Sequence, residues 1–448
     1  MDFQAFKEAV IAQCQQMGIT EYELYYTSGE STSVEAYLHE VNAFTASRDG
    51  GVCFRCILGG KMGYASTEEL SPQQARSIVL RAADNAAVLE CEEQVFLGEG
   101  GQKYEALTLT PYALPTTEAL IAAVLDTQEK IYKADERVVD GCQTQGIAQR
   151  SEIAIYNSKG LDLHYENTVS GLVAVAVVSD GKEMSNDYQI KLGKLDTIDT
   201  EGLAKKAADS AIGKMGGEPA PTGSYPVVFH PEAMASLLAV YSSVFSSEAT
   251  QKGLSRLKDQ EGQVIAAPAV TLVDDPFHPE NPMPMHFDAE GSPTRRKNVI
   301  ENGVLNTLLY NLKTAAVAGK QTTGNASKGN YDSPVAVQPF SLYLKGGEYT
   351  EEELLKKAGN GVYINSLSGL HAGANPISGD FSLQSAGFLI ENGRKTKPVK
   401  SFTVAGNFYD LLKNITAVAN NCTLPNAMSM TAYGAPSVLA EGLSVAGK

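Results

Sequence analysis

Apolar residues recur at three- and four-residue steps at Phe3, Phe6, Val10, Cys14 and Met17, which predicts an amphipathic helix that Gly18 stops. Two short strands are expected over 23–27 and 31–39, then a hairpin over 51–66 turning at Gly59-Gly60. Ser71 is a good N-cap and Pro72 suits a first helical position, with Gln74 placed for a capping box; the stripe that follows is Ala75, Ile78, Val79, Ala82, Ala86 and Leu89. A third helix is predicted over 117–133. A hairpin over 153–165 turns through Asn157-Ser158-Lys159-Gly160, a buried strand covers 172–178, and a fourth helix runs over 200–215.

Gly216-Gly217-Glu218-Pro219-Ala220-Pro221-Thr222-Gly223 is the strongest break in the pattern and predicts a domain boundary. Beyond it a strand over 225–229 leads into a helix starting at Pro231, with Leu237, Leu238, Tyr241, Val244 and Phe245 inward. The stretch 274–294 carries five prolines and reads as irregular. Ile300-Glu301-Asn302-Gly303 and Ile390-Glu391-Asn392-Gly393 repeat one local sequence, and the Asn-Gly pair in each is a tight-hairpin signal. The expected fold is α+β and antiparallel-sheet-rich, with an N-terminal α+β domain over 1–220 and a strand-dominated C-terminal domain over 221–448.

Charge narrows the function. The balance over 448 residues is 36 − 52 = −16, and no dense Lys/Arg run exists, which speaks against direct nucleic-acid binding. Six scattered cysteines do not form a secreted disulfide framework. The N-terminal segment reads as an amphipathic helix rather than a signal peptide, and the longest apolar run, Leu172 to Val178, is too short for a bilayer. A cytoplasmic protein is expected.

No two of His39, His164, His230, His278, His286 and His371 lie four or five apart, so no helix presents a His pair to zinc. The richest ligand cluster is the Pro-rich loop, with Asp274, Asp275, His278, Glu280, His286, Asp288 and Glu290; it reads either as a loop-borne metal or substrate site or as a solvated polar loop. Cys53 and Cys56 fall three apart in a predicted strand, on opposite faces, which disfavours a shared metal. No nucleophile elbow and no phosphate-binding loop are present. Two Gly/Asn-rich segments, 323–330 and 369–382, would let a backbone approach a ligand closely or simply make tight turns.

Those segments carry a resemblance. Phe287-Asp288-Ala289-Glu290-Gly291-Ser292-Pro293-Thr294-Arg295-Arg296, Val299 to Leu305, Thr323-Gly324-Asn325-Ala326, Asn375-Pro376-Ile377-Ser378-Gly379-Asp380-Phe381-Ser382, Gly387 to Gly393 and Val404-Ala405-Gly406-Asn407 resemble the TldD/PmbA family in order and spacing. The first half fits more loosely, through 51–67 and the turn at 157–160. The family is associated with peptide cleavage and carries the older label of modulator of DNA gyrase. Its TldD type bears an H-E-x-x-x-H zinc motif on the helix opening the second half, and its PmbA or TldE type lacks it. Here Ala239 and Val244 stand in the places of the histidines and Val240 in that of the glutamate, while Cys422 is the thiol nearest the place of a third ligand. None of these aliphatic side chains ligates zinc or takes a proton from water.

The resemblance therefore implies a PmbA/TldE-like, non-metal subunit of a peptidase system that degrades unfolded peptides. It has no cofactor or catalytic residue of its own; zinc is expected only in a TldD-type metal-bearing paralogue, and a dimer is expected, a homodimer when the chain is alone. Candidate peptide-binding residues are Asn325, His371, Asn375, Asp380 and Ser382. Two other readings stay open. One is an autonomous metal-dependent hydrolase in which His278, His286, Asp288, Glu290, His371 and Asp380 converge on an ion. The other is a non-enzymatic modulator of gyrase or of a toxin, although the acids are spread along the chain rather than gathered in one run.

Overall fold

The computed structural model describes residues 1–90, 93–107, 111–424 and 431–447; Cys91 lies outside them. The first half is one six-stranded antiparallel sheet with helices packed on it. Helix α1 (Phe3–Met17) is capped by Asp2, which accepts from Ala5 N, and ends at Gly18 with φ +66°. Strands β1 (Tyr22–Tyr37), β2 (Glu40–Leu58) and β3 (Lys61–Thr67) follow. Then come α2 (Pro72–Val88), α3 (Thr117–Ala134), β4 (Gln143–Asn157), β5 (Asp162–Ser179), β6 (Met184–Leu192) and α4 (Thr200–Gly213). The sheet order is β3-β2-β1-β4-β5-β6.

Two sequence expectations need correction here. The strands over 23–27 and 31–39 are one continuous strand, β1, and the hairpin strand begins at Glu40 rather than Gly51. The polar run Ser28 to Ser33 masks the strand because both of its edges are paired, to β2 and to β4. Backbone pairing on both sides holds a strand whose side chains alone would not announce it. The tip Leu38-His39 has positive φ at both residues and is bolted down by buried Gln128 on α3: its Nε2 donates to Ala36 O and Cys142 O, and its Oε1 accepts from His39 N. At Gly63 on β3, a Cβ would sit 1.8 Å from Ala82 O, so only glycine lets α2 lie this close to the sheet.

The strands after the Gly/Pro cluster belong to different sheets. The second half contains β7 (Gly223–Phe229), α5 (Pro231–Tyr241), a 3-10 turn (Ser242–Phe245), α6 (Ser247–Gln251), β8 (Leu272–Asp274), β9 (Lys297–Glu301), β10 (Val304–Leu305), α7 (Leu312–Val317), β11 (Ala326–Ser327), β12 (Ala336–Val337) and β13 (Ser341–Leu344). It continues with α8 (Glu351–Ala358), β14 (Gly361–Ser368), α9 (Leu370–Gly373), β15 (Asp380–Glu391), β16 (Arg394–Asn407), α10 (Phe408–Lys413), β17 (Ile415–Val418), β18 (Ala432–Gly434) and β19 (Val438–Ala446). They form a five-stranded sheet, β10-β9-β8-β13-β18, a six-stranded sheet, β16-β15-β14-β7-β19-β17, and the β11–β12 pair. Among the strands described here only β13–β18 and β14–β7 pair in parallel, so the molecule is α+β and antiparallel-rich. Both Asn-Gly turns are as expected: φ is +49° and +84° at Asn302-Gly303, and +51° and +74° at Asn392-Gly393. The largest core lies between the two sheets of the second half and takes in α5, with Phe229, Leu237, Tyr241, Phe245, Leu305, Leu342 and Phe408.

Candidate functional site

Helix α5 starts where the sequence places it. His230 Nδ1 caps it, accepting from Glu232 N at 3.3 Å, and Pro231 opens the first turn without needing a donor. Its inner face, Leu237, Leu238 and Tyr241, is buried in the core. After Tyr241 the chain tightens into the 3-10 turn, which drives Val244 fully inside. Ala239 and Val240 are half-buried. At the place of the zinc motif the helix is thus packed with aliphatic carbon. Ser242 Oγ donates to Ala239 O (2.9 Å), so the 3.1 Å contact with Tyr433 is the Tyr433 hydroxyl donating to it. Cys422 Sγ donates to Leu344 O (3.3 Å), and burial pushes this thiol up to about 11, away from the thiolate a metal requires. The residues present do not fit a zinc ion.

Tyr241 ties α5 to the segment 369–382 by donating to Asp380 O at 2.7 Å. This segment is a compact rim. Gly369, with φ +76°, turns the chain into α9; Asn375 Oδ1 then accepts from Ile377 N and Ser378 N, and Gly379 N returns to Asn375 O. Asp380 Oδ1 accepts from Asn407 Nδ2 at 2.7 Å, and the same amide donates to Ser378 O at 2.9 Å. The Asn407 hydrogen bond, helped by Ser378, holds the Asp380 carboxyl below the usual carboxylate range. His371, Asn375, Asp380 and Ser382 are all exposed on this rim. The structure therefore brings four of the five candidate residues onto one segment.

The fifth, Asn325, lies elsewhere and is fully buried. Both of its amide protons are spent, on Asp274 Oδ2 (2.8 Å) and Gln338 O (2.9 Å), and its Oδ1 accepts from Thr323 Oγ1. It braces the fold where the sequence suggested a ligand contact.

The Pro-rich loop is also corrected. Its His and acidic residues, with His371 and Asp380, do not converge on an ion: among the described residues no three His, Cys, Asp or Glu side chains form a ligand set. The acids are spent on backbone. Asp288 Oδ1 accepts from Glu290 N and Ser292 N, and its Oδ2 from Ala326 N, all at 2.9 Å. Asp274 accepts from Phe340 N and Ser341 N and pairs with Lys297 at 2.9 Å. Glu290 Oε2 accepts from Leu312 N, and Glu280 Oε2 from Leu424 N. His278 Nδ1 accepts from Glu280 N, and His286 packs edge-on against Phe287 at 4.8 Å between ring centres. The loop is a wedge: Met285, Phe287 and Ala289 pack with Tyr25, Cys53, Ile153, Ile155 and Tyr165 of the first sheet.

Beside the wedge lies a buried ion pair that sequence reading missed. Arg55 meets Glu23 at 2.6 Å with both side chains almost wholly enclosed, and Glu23 also accepts from Asn157 Nδ2. The available signal was a charge of each sign within an apolar strand, Glu23 next to Leu24-Tyr25 and Arg55 between Phe54 and Cys56. Burial raises the Asp288 and Glu290 carboxyls; the charge of Asp288 lifts Glu290 further, and Arg55 opposes it. Cys53 faces the wedge while Cys56 faces the core under α1 and α2, as their spacing requires.

Comparison with known proteins agrees with this architecture. Residues 222–447 match the PmbA/TldA metallopeptidase C-terminal domain, 111–215 its central domain and 22–86 its domain 1. The chain belongs to the PmbA/TldD metallopeptidase family. A metalloprotease of Methanothermobacter thermautotrophicus is 28% identical over 86% of this chain and 84% of its own length. The metalloprotease PmbA of Escherichia coli is 26% identical over 87% of this chain and 85% of its own. A Thermotoga maritima protein described as a candidate modulator of a DNA gyrase superposes with a TM-score of 0.90 at 32% identity, covering 99% of this chain and all of that one. TldE from Thermococcus kodakarensis shares the fold, with a TM-score of 0.87 at 24% identity over 99% of this chain and all of that one. Among the described residues of this family member, no helix is long and apolar enough to cross a membrane.

Proposed function

We propose that this chain is the metal-free, peptide-holding subunit of a two-chain peptidase whose zinc resides in a TldD-type paralogue. The observation that carries this reading is the aliphatic packing of Ala239, Val240 and Val244 at the family's metal position, with no donor group among the three. Supporting it, the exposed rim 369–382 presents polar side chains beside β15, on which Ser382 and Gln384 also face outward. Short polar side chains of this kind can hydrogen-bond the main chain of an extended peptide with little regard for its sequence.

The test measures peptide cleavage by this chain alone, by the metal-bearing paralogue alone, and by the two mixed, with zinc content determined for each. The expected result is cleavage only in the mixture, with zinc tracking the paralogue. Cleavage and about one equivalent of zinc in this chain alone would overturn the proposal.

A further inference from the structure

We infer that His230 is a pH-operated cap, its neutral imidazole closing the first turn of α5 and its protonated form releasing that turn. The bond itself fixes the state of the ring. The Glu232 N–H can only donate, so Nδ1 presents a lone pair and the single proton of the neutral ring sits on Nε2. Ser71, Thr116 and Asn311 cap their helices through oxygen atoms that remain acceptors as pH falls. An imidazole that gains a proton on Nδ1 stops accepting and meets the Glu232 N–H as a second donor. The geometry follows from the tripeptide His-Pro-Glu: proline has no N–H, so the glutamate supplies the nearest donor. The same tripeptide at 278–280 makes the same bond, from Glu280 N to His278 Nδ1 at 3.2 Å.

The surroundings of His230 give an imidazolium little support. The residue is half-buried, and Tyr363 of β14 lies edge-on to its ring at 6.3 Å between centres. The acids whose charge reaches it, Glu351 of α8 and Asp187 of β6, are already engaged. Glu351 accepts from Tyr363, Ser437 and Lys395, and Asp187 pairs with Lys214 at 2.9 Å. Lys395 of β16 adds an opposing charge. On α5 itself, burial and then the Asp187 charge raise the Glu232 carboxyl, with Lys214 opposing. Burial outweighs the two acids and holds the imidazole below its ordinary value. A proton on the ring would also stand at the positive end of the helix dipole. The contribution of the cap is therefore whole above the unfolded histidine value of about 6.5, and it is lost as pH falls through the lower folded value. The other end of α5 carries Tyr241, which donates to Asp380 O on the rim, so the cap secures the helix on which the rim is anchored.

The inference needs neither zinc nor peptide and stands or falls separately from the proposed function. Two measurements on the full-length native chain test it. Nitrogen NMR of chain labelled at histidine, with the His230 signal identified by its absence from His230→Asn, should show the neutral ring carrying its proton on Nε2. Hydrogen–deuterium exchange, corrected for the intrinsic pH dependence of amide exchange, should show protection of amides 232–234 falling about ten-fold between about pH 7.5 and pH 5, the combined effect of a lost cap and an unfavourable charge at the helix start. His230→Asn caps without titrating and should hold its protection at both pH values, whereas His230→Ala should be poorly protected at both. Near-UV circular dichroism checks that each variant is folded. A proton on Nδ1 of the neutral ring, unchanged protection of the native chain on acidification, or an equal loss in His230→Asn overturns the inference.

Discussion

The wedge at 285–294, in the Pro-rich loop, and the Gly-rich rim at 369–382 both read in the sequence as irregular polar segments carrying a histidine and at least one acid, and the fold treats them in opposite ways. In the wedge, Asp288 satisfies three backbone amides out of water, with Phe287 and Met285 packed beside it. In the rim, Asp380 is also hydrogen-bonded but stands in solvent, with His371, Asn375 and Ser382 equally accessible. A buried carboxylate that bonds backbone is a structural member, since its lone pairs are used and removing it orphans the donors it served. An exposed one keeps capacity for a ligand. An aspartate in each of the two segments therefore carries different consequences of substitution.

The sharpest break should come from Asp288→Ala. Three enclosed N–H groups lose their acceptor, and destabilisation of at least about 4 kcal/mol is expected in urea unfolding. A loss below about 1 kcal/mol would remove the distinction between wedge and rim. Next, Glu23→Gln leaves Arg55 without its counter-charge beside the wedge, with an expected cost of about 3 kcal/mol, measured in the same way.

A pH series sharpens the comparison. Burial, and then the neighbouring Asp288 charge, hold the Glu290 carboxyl above its ordinary value. For a carboxyl raised on folding, the contribution to stability is whole below the unfolded pKa of about 4.3. It is lost as pH rises through the higher folded value, because the folded state resists giving up the proton. The melting midpoint of the native chain should therefore fall between pH 5 and pH 8, and Glu290→Gln should flatten that slope. An unchanged slope would show that Arg55 keeps Glu290 ionised throughout. The smallest effect on stability belongs to the rim. Asp380→Asn should leave the melting midpoint where it was, yet weaken retention of an unfolded peptide by the mixed two-chain complex. A large drop in melting midpoint would move this residue into the structural class.

Much of the fold was legible along the chain. The helix at 231–241, the ends at Gly18 and Pro72, and both Asn-Gly hairpins follow from local chemistry: a cap, a fixed φ, a residue that tolerates positive φ. The missing ligands at Ala239, Val240 and Val244 were likewise plain, since side-chain identity alone decides whether a donor exists. Strand β1 was not legible as one strand, because its polar middle is held by neighbours far away in sequence. Nor was the burial of Asn325, whose partners Asp274 and Gln338 come from other parts of the chain.

The sequence by itself determined which local elements form and which chemistry is absent, because caps, turns and donor groups belong to single residues or near neighbours. Only the tertiary structure decided which acids are spent on backbone, which stand in water, and which charges surround the His230 ring. Burial and pairing depend on what arrives from distant segments, and no local pattern carries that information.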